Sequence, residues 1–413
     1  MASTTESQKR IDWRCKNQMS RRAVAATVLL AAALAGCGAA PPAGKTAAHD
    51  QPASVRLGDH GQVEINGRPA VPLAVWSEPA YLFEYFRNLG LTCAIGGEVE
   101  KPQLFRYRSA DLDQEAERTC LGLINPPSRD PLTPRVWGVL GENIEPGRLD
   151  LDSAARELAD LHQRYPGRFV MRNINVYHFL DGRESDFYRQ ALRTTDAVIC
   201  HVWPEVNPGE RNLRNVAIVV DRVRELCQNR PGGQVSIWPD LDPHEWKHKN
   251  SDGGRRYSAP TRAELRFQIW LALIHGANGI CFFPISFDPF IFATIPAQSE
   301  QEIASNSRLI ERLTPALTAP PSTLPITVTG DLPGGLLDLA TRQLDGRHYV
   351  FLLNGQAQEQ TVTLKVPGLG RTWQLSDAIN EKPLAADGVF TEKLDGLALR
   401  IWRLSPTASE PAR

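Results

Sequence analysis

The sequence predicts an α/β fold, a (β/α)8 TIM barrel followed by a small all-β sandwich domain. Three observations carry this. Eight short apolar segments alternate with segments of helical spacing, over roughly the 250 residues that one such barrel occupies. Several of the apolar segments stop at a polar or acidic residue flanked by Gly, Asn or Pro, as the ends of buried parallel strands do. After the proline-rich stretch 315–325 (PALTAPPSTLP) the helical spacing ceases, and short alternating segments with glycine turns take over.

Taken in order, Gln62 to Ile65 and the residues from Arg68 flank an Asn66-Gly67 turn, a hairpin signal. The first barrel strand follows at 71–76. A helix over 84–90 stops at Gly90, and the second strand is 92–95. The third, 119–124, runs into Asn125-Pro126-Pro127. The fourth, 136–140 (VWGVL), ends abruptly at Gly141-Glu142-Asn143. Asp152 reads as the cap of a helix with Ala155, Leu158, Leu161 and Tyr165 on one face, and Pro166-Gly167 ends it. Strands five and six are 168–176 and 197–202. Helical spacing over 216–227 is broken by Pro231-Gly232-Gly233 before strand seven, 234–238. Thr261 and Glu264 form a capping box opening a helix to His275, with Gly276 at its stop, and strand eight is 279–283.

The later segments, 337–343, 347–354 (entered from an Asp345-Gly346 turn), 361–366, 372–375 and 397–404, have the alternation of a small sandwich. The expected organisation is a leader over 1–37, a tether over 38–54, and the barrel with its N-terminal hairpin over 55–314. A linker over 315–325, the sandwich over 326–406 and a tail over 407–413 complete it.

Met19-Ser20-Arg21-Arg22, an apolar run over 23–35 and small residues before Cys37 have the pattern of an export signal, and the run is short for a bilayer span. Leu34-Ala35-Gly36-Cys37 resembles the lipobox of bacterial lipoproteins. That resemblance implies lipidation at Cys37 and an exported protein held in the cell envelope, its only membrane contact the N-terminal lipid. The Ala- and Pro-rich segment after it reads as a flexible tether. The whole chain of 413 residues carries a formal charge of -1, and the leader is its most basic part. With no basic excess to neutralise phosphates, nucleic acid is excluded as a partner. Five cysteines follow Cys37, at positions 93, 120, 200, 227 and 281, without metal-ligand spacing. They read as small core residues, with Cys93 and Cys120 the one pair placed to bridge.

The strand ends hold the chemistry. Trp76-Ser77-Glu78, Trp203-Pro204-Glu205 and Trp238-Pro239-Asp240 each put an indole and then an acid just past an apolar run. With Glu98 and Glu142 they bring five carboxylates to the mouth of the barrel. Indoles stack on the apolar face of a sugar ring, and carboxylates accept from its hydroxyls. Two opposed carboxyl groups are what glycosidic hydrolysis requires. Asn125, Asn173, Asn175, Tyr177 and His201 are further candidates for sugar contacts, with His201 equally readable as a core histidine. His244, Lys247, His248 and Lys249 read as a solvated loop.

The chain resembles the (β/α)8 glycoside hydrolases with a C-terminal β-sandwich. The resemblance rests on Asn66-Gly67-Arg68-Pro69 leading to Val75-Trp76, on Phe267-Gln268-Ile269-Trp270 leading to His275-Gly276-Ala277-Asn278-Gly279-Ile280, and on the terminal Leu399-Arg400-Ile401-Trp402. It implies an acid/base Glu after strand four, matched by Glu142, and a second carboxylate after strand seven, matched by Asp240. It implies no metal and no organic cofactor. Two departures stand out. The strand-four motif of those enzymes is often Asn-Glu or Asp-Glu-Pro, where this chain has Gly141-Glu142-Asn143. Their strand-seven residue is commonly Glu, where this chain has Asp240, with Asp242 and Glu245 behind it. The expectation is hydrolysis of an oligo- or polysaccharide. The alternative is a glycan-binding lipoprotein on the same barrel without catalysis.

Overall fold

The structure, a computed structural model, describes residues 54–96, 109–126, 134–175, 183–202, 212–228, 230, 233–247, 256–287 and 290–407. Eight parallel strands close a barrel in strict chain order: β1 (Leu73–Trp76), β2 (Cys93–Ile95), β3 (Gly122–Asn125), β4 (Val136–Leu140), β5 (Phe169–Asn175), β6 (Ala197–His201), β7 (Ser236–Leu241) and β8 (Ile280–Phe282). β8 pairs back onto β1. Strands covered on both faces explain the unbroken apolar runs of the sequence. In β6, Ala197 and Ile199 join the barrel interior with Met171, Trp238 and Cys281, while Val198 and Cys200 face the helices. The interior is a packed core and not a channel.

Between the strands run α1 (Phe83–Asn88), α2 (Ser109–Thr119), α3 (Leu151–Arg164), α4 (Ser185–Ala191), α5 (Asn215–Leu226) and α6 (Arg262–His275), and α7 (Ala297–Leu317) follows β8. The capping box of α6 forms as the sequence indicates, with both the Thr261 and Glu264 side chains engaged. Three differences from the sequence reading are corrections. Asp150, not Asp152, caps α3, its carboxylate accepting from the Ser153 amide at 2.6 Å. Thr119 ends α2 and does not open β3. Pro315 lies within α7 and so does not begin a linker, because burial of Leu313 and Ala316 carries the last turn past the missing N–H.

A three-stranded antiparallel sheet (Val55–Leu57, Val63–Ile65, Arg68–Ala70) turns at Asn66 and Gly67, both with positive φ, as a two-residue hairpin requires. Val55 and Val63 pack into the barrel-interior cluster, and the Gln234 amide donates to the Asp59 carbonyl just before β7. The sheet therefore closes the N-terminal end of the barrel.

The C-terminal part has two antiparallel sheets. Strands β9 (Thr327–Gly330), β12 (Gln360–Lys365) and β15 (Val389–Leu394) form one. The other has five strands in the order β10 (Leu337–Leu344), β11 (Arg347–Asn354), β16 (Leu399–Pro406), β13 (Trp373–Asp377) and β14 (Lys382–Leu384). Val350 and Leu352 of β11 point into the core between the sheets, and Tyr349, Phe351 and Leu353 point into the cluster that contains the barrel helices. Phe351 stacks on Trp270 of α6 with centroids 6.2 Å apart. Burial on both faces accounts for the unbroken apolar run in β11.

Candidate functional site

The C-terminal ends of β1, β6 and β7 and the residue after β8 bring Trp76, His201, Asp240 and Phe283 together, while Asn173 of β5 pairs with Ile199, two residues before His201. Strand seven is longer than its sequence signal and reaches Leu241, so Asp240 lies inside the strand. Ser236, Trp238 and Asp240 alternate onto one face. Register places Asp240 opposite His201 on one side and Cys281 on the other. His201 Nδ1 and Asp240 Oδ2 are 2.5 Å apart. Trp76 and Phe283 meet the His201 ring edge-on, at 5.4 and 6.0 Å between centroids. The Asp240 hydrogen bond and these aromatic edges help to fix the imidazole, with 13 % of its side chain exposed.

This placement corrects two sequence assignments. Asp240 has 0 % exposure and its Oδ2 is committed to His201, so it cannot attack a sugar carbon directly. Trp238 offers no stacking face. It too has 0 % exposure, its indole N–H donates to Ser236 Oγ at 2.9 Å, and Phe169 lies 6.3 Å from it. A side chain at Gly279 would come within 2.8 Å of that ring, so this glycine makes room for it. Trp238 is part of the plug beneath the mouth.

Glu142 stands exposed just past β4. Its backbone is held from both sides. The Gly141 amide donates to the Met171 carbonyl at 2.8 Å, and Arg172 Nη1 donates to the Glu142 carbonyl at 3.0 Å. Arg172 is fully buried and also reaches the carbonyls of Thr194 and Ala154 and, at 2.5 Å, the Glu157 carboxylate. A side chain at position 141 would press within 3.1 Å of the guanidinium, so the glycine before Glu142 serves close approach. Sequence reasoning passed over Arg172. The available signal was a lone charge in the apolar run of β5, which burial obliges to be paired.

Glu78, two residues beyond β1, is 1 % exposed, and neither carboxyl oxygen has a hydrogen-bond partner among the described residues. Burial pushes its pKa well above the usual carboxylate range, and the nearby Ala293 backbone offsets this only in part. Asn125 and Asn173 each keep a buried Oδ1 without a donor among the described residues. Asn175 pairs in register with His201 through the backbone. Glu98, Tyr177, Trp203 and Glu205 lie outside the described residues, as does Cys37. His244 departs from the solvated-loop expectation. It is buried, and burial depresses its pKa to about 4 despite backbone contacts at Ile285 and Phe283 and the charge of Glu245. Cys93 and Cys120 form no bridge, Cys93 being buried in β2 and Cys120 exposed.

The sequence matches no protein-family model and no curated protein. Solved structures do match. An alpha-amylase from Anoxybacillus, described as a new glycosyl hydrolase subclass, superposes with a TM-score of 0.51 at 11% identity, covering 82% of this chain and 99% of that one. The noncanonic maltogenic alpha-amylase AmyB of Thermotoga neapolitana gives 0.51 at 9%, with 81% and 98% covered. Eubacterium rectale Amy13B gives 0.50 at 8%, with 80% and 95% covered. At such identities the likeness concerns the fold, a closed parallel barrel with C-terminal antiparallel sheets as found in glycoside hydrolases.

Proposed function

We propose that the mouth of this barrel takes a saccharide and hydrolyses its glycosidic bonds, on a protein exported and lipid-anchored through Cys37. The observation that carries the reading is the His201–Asp240 pair, bracketed by Trp76 and Phe283 at the C-terminal end of a barrel shared with glycoside hydrolases. Glu142 is the general acid, giving its proton to the leaving oxygen as the anomeric C–O bond breaks. Water adds to the anomeric carbon and its proton passes to His201, which Asp240 orients. The proton then returns to Glu142 through solvent, which restores the starting state. Asp240 is a positioning residue in this scheme. Trp76 supplies the apolar surface for the ring, and Asn125 and Asn173 the amides for its hydroxyls. Glu98, Asn175, Tyr177, Trp203 and Glu205 are proposed as further contacts on the same mouth.

The test is release of reducing ends from a panel of oligosaccharides by the wild type and by Glu142→Gln. Loss of about 10²-fold or more in the variant supports the assignment. Full activity in the variant would remove Glu142 from the chemistry. A second reading, glycan binding without turnover, is favoured by one observation: the strand-seven carboxylate is buried and does not stand in the cleft as the second of two open carboxylates. Binding of a saccharide that neither protein cleaves would decide for it.

A further inference from the structure

The inner wall of the barrel carries a row of side chains at the level of the His201–Asp240 pair. Register runs His201↔Asp240 between β6 and β7, Asp240↔Cys281 between β7 and β8, Cys281↔Ala74 between β8 and β1, and Ala74↔Cys93 between β1 and β2. Ala74, Cys93 and Cys281 belong to the interior cluster, as does Trp238, two residues before Asp240 on the same face of β7. Asp240 therefore stands between an imidazole and a thiol. Asp240 and Cys281 are both 0 % exposed.

The two oxygens of this carboxylate differ in their surroundings. Oδ2 meets His201 Nδ1 at 2.5 Å. Oδ1 is buried and has no hydrogen-bond partner among the described residues. Leaving a buried carboxylate oxygen without a donor is costly. It also leaves the carboxylate able to swing about its Cβ–Cγ bond, which would turn Oδ2 away from the imidazole. Cys281 places a donor beside it. The thiol has one proton, directed in the structure at the Phe282 carbonyl, 3.8 Å from Sγ. A charged acceptor draws a weak donor more strongly than a neutral carbonyl does. Burial first, and then the charge and hydrogen bonding of Asp240, push the Cys281 pKa well above the usual thiol range, so the proton stays on sulfur.

We propose that Cys281 is a positioning residue of the His201–Asp240 pair: its S–H turns from the Phe282 carbonyl to Asp240 Oδ1 and holds the carboxylate with Oδ2 toward His201. Two donors on two oxygens then fix the plane of the carboxylate, and the orientation of the imidazole follows from it. The contact itself needs no reaction, and its catalytic consequence rests on the proposed hydrolysis. Cys93 is the matched control. It lies in the same row beyond Ala74, three strands from Asp240, with its Sγ 3.7 Å from the Ala94 carbonyl.

The experiment uses the full chain. Infrared difference spectra against Cys281→Ala isolate the Cys281 S–H stretching band. Proton NMR of protein with isotope-labelled histidine, His201 being assigned by His201→Gln, follows the Nδ1 proton that faces Asp240. The expected result is a Cys281 band that moves to higher frequency in Asp240→Asn, with a His201 resonance that moves in Cys281→Ala and stays in Cys93→Ala. On a saccharide that the wild type cleaves, Cys281→Ala lowers kcat about two- to tenfold at unchanged KM, the worth of one ordinary hydrogen bond. Cys93→Ala keeps the wild-type kcat. Circular dichroism establishes that each variant is folded. A Cys281 band unmoved in Asp240→Asn would overturn the contact, as would a His201 resonance that the two cysteine variants shift alike. The expected spectra with wild-type kcat in Cys281→Ala would overturn the positioning role. The expected spectra in a protein that cleaves no saccharide would support the contact and remove the proposed hydrolysis instead.

Discussion

His201 and Asp240 occupy the same rung of the barrel, paired across β6 and β7, and their side chains meet at 2.5 Å. The carboxylate is wholly buried and the imidazole is the partner nearer the mouth. In the proposed hydrolysis Asp240 acts by holding the His201 ring in one orientation, as the carboxylate of a catalytic triad does. Asp240→Asn keeps the shape and removes the charge. If the proposed hydrolysis is right, it should lower kcat by about 10²–10⁴ with little change in KM, because the proposed ground-state contacts to the sugar remain. Asp240→Ala should in addition lower stability by about 1–3 kcal/mol, by leaving His201 Nδ1 without its acceptor. Steady-state kinetics on a cleaved saccharide and urea unfolding measure the two effects. Unchanged kcat in Asp240→Asn would end the positioning role.

Arg172 ties β5 to the loop that carries Glu142, to α3 through Glu157 and Ala154, and to Thr194. Arg172→Met leaves three carbonyls without their donor and should cost about 3–5 kcal/mol in denaturant unfolding, the range for breaking a buried ion pair. Arg172→Lys retains charge but not the planar fork, so it should fall between the two. If the proposed role of Glu142 is right, Arg172→Lys also lowers kcat while remaining folded, through loosening of the Glu142 backbone. A stable variant with wild-type kcat would show that the anchor is structural only.

The parts of the chain that read correctly from sequence are those whose signal is local. Asn66-Gly67 turned where it should, Thr261 and Glu264 closed their box, and all eight barrel strands lie where an apolar run was found. Helices α2, α4 and α7 were passed over. In α7, a buried polar side such as Glu302 and Asn306 interrupts the apolar stripe, and tertiary ion pairs with Arg262 and Arg266 stand in for it. The site was legible as a collection of strand ends and not as a geometry. A strand that runs three residues past its apolar run turned Asp240 from a mouth acid into a buried one, and only the register across β6 and β7 reveals its partner. Trp238 misled for the same reason, since alternation along an extended strand points it into the plug.

Glu78 gives a pH prediction of definite sign. Burial raises its folded pKa above the ordinary 4.5, so the folded chain retains a proton that the unfolded chain releases. Stability therefore falls as pH rises above about 4.5, until the folded carboxyl also ionises. Glu78→Gln removes the titration, and its unfolding free energy should lose this downward slope, with the variant more stable than the wild type near neutrality. Urea unfolding from pH 4 to 8 on both proteins checks this. Parallel pH profiles would mean that Glu78 finds a partner in solution.

Asp338 of β10 receives both guanidinium nitrogens of Arg214, at 2.7 and 2.8 Å, and lies 3.0 Å from His275 Nε2, at the end of α6. His275 Nδ1 in turn meets Asp221 of α5 at 2.8 Å. Four side chains thus join the barrel helices to the C-terminal sheet at a largely buried point. Burial alone would depress His275, but Asp221 and Asp338 outweigh it and hold its pKa at about 9. Burial would raise Asp338, but Arg214 and His275 outweigh it and hold it at about 2. The folded pKa of His275 is raised, so its contribution is complete below 6.5 and is lost as pH rises through about 9. The folded pKa of Asp338 is depressed, so its contribution is complete above 3.8 and is lost as pH falls through about 2. Between those limits the junction is at full strength. Asp338→Asn should weaken both limbs, because it removes the acid titration and takes from His275 one of the two carboxylates that hold its proton. His275→Gln should flatten the alkaline limb alone. Melting temperatures across pH 3 to 10 for the three proteins measure this, and an alkaline limb unchanged in His275→Gln would place the pH sensitivity elsewhere.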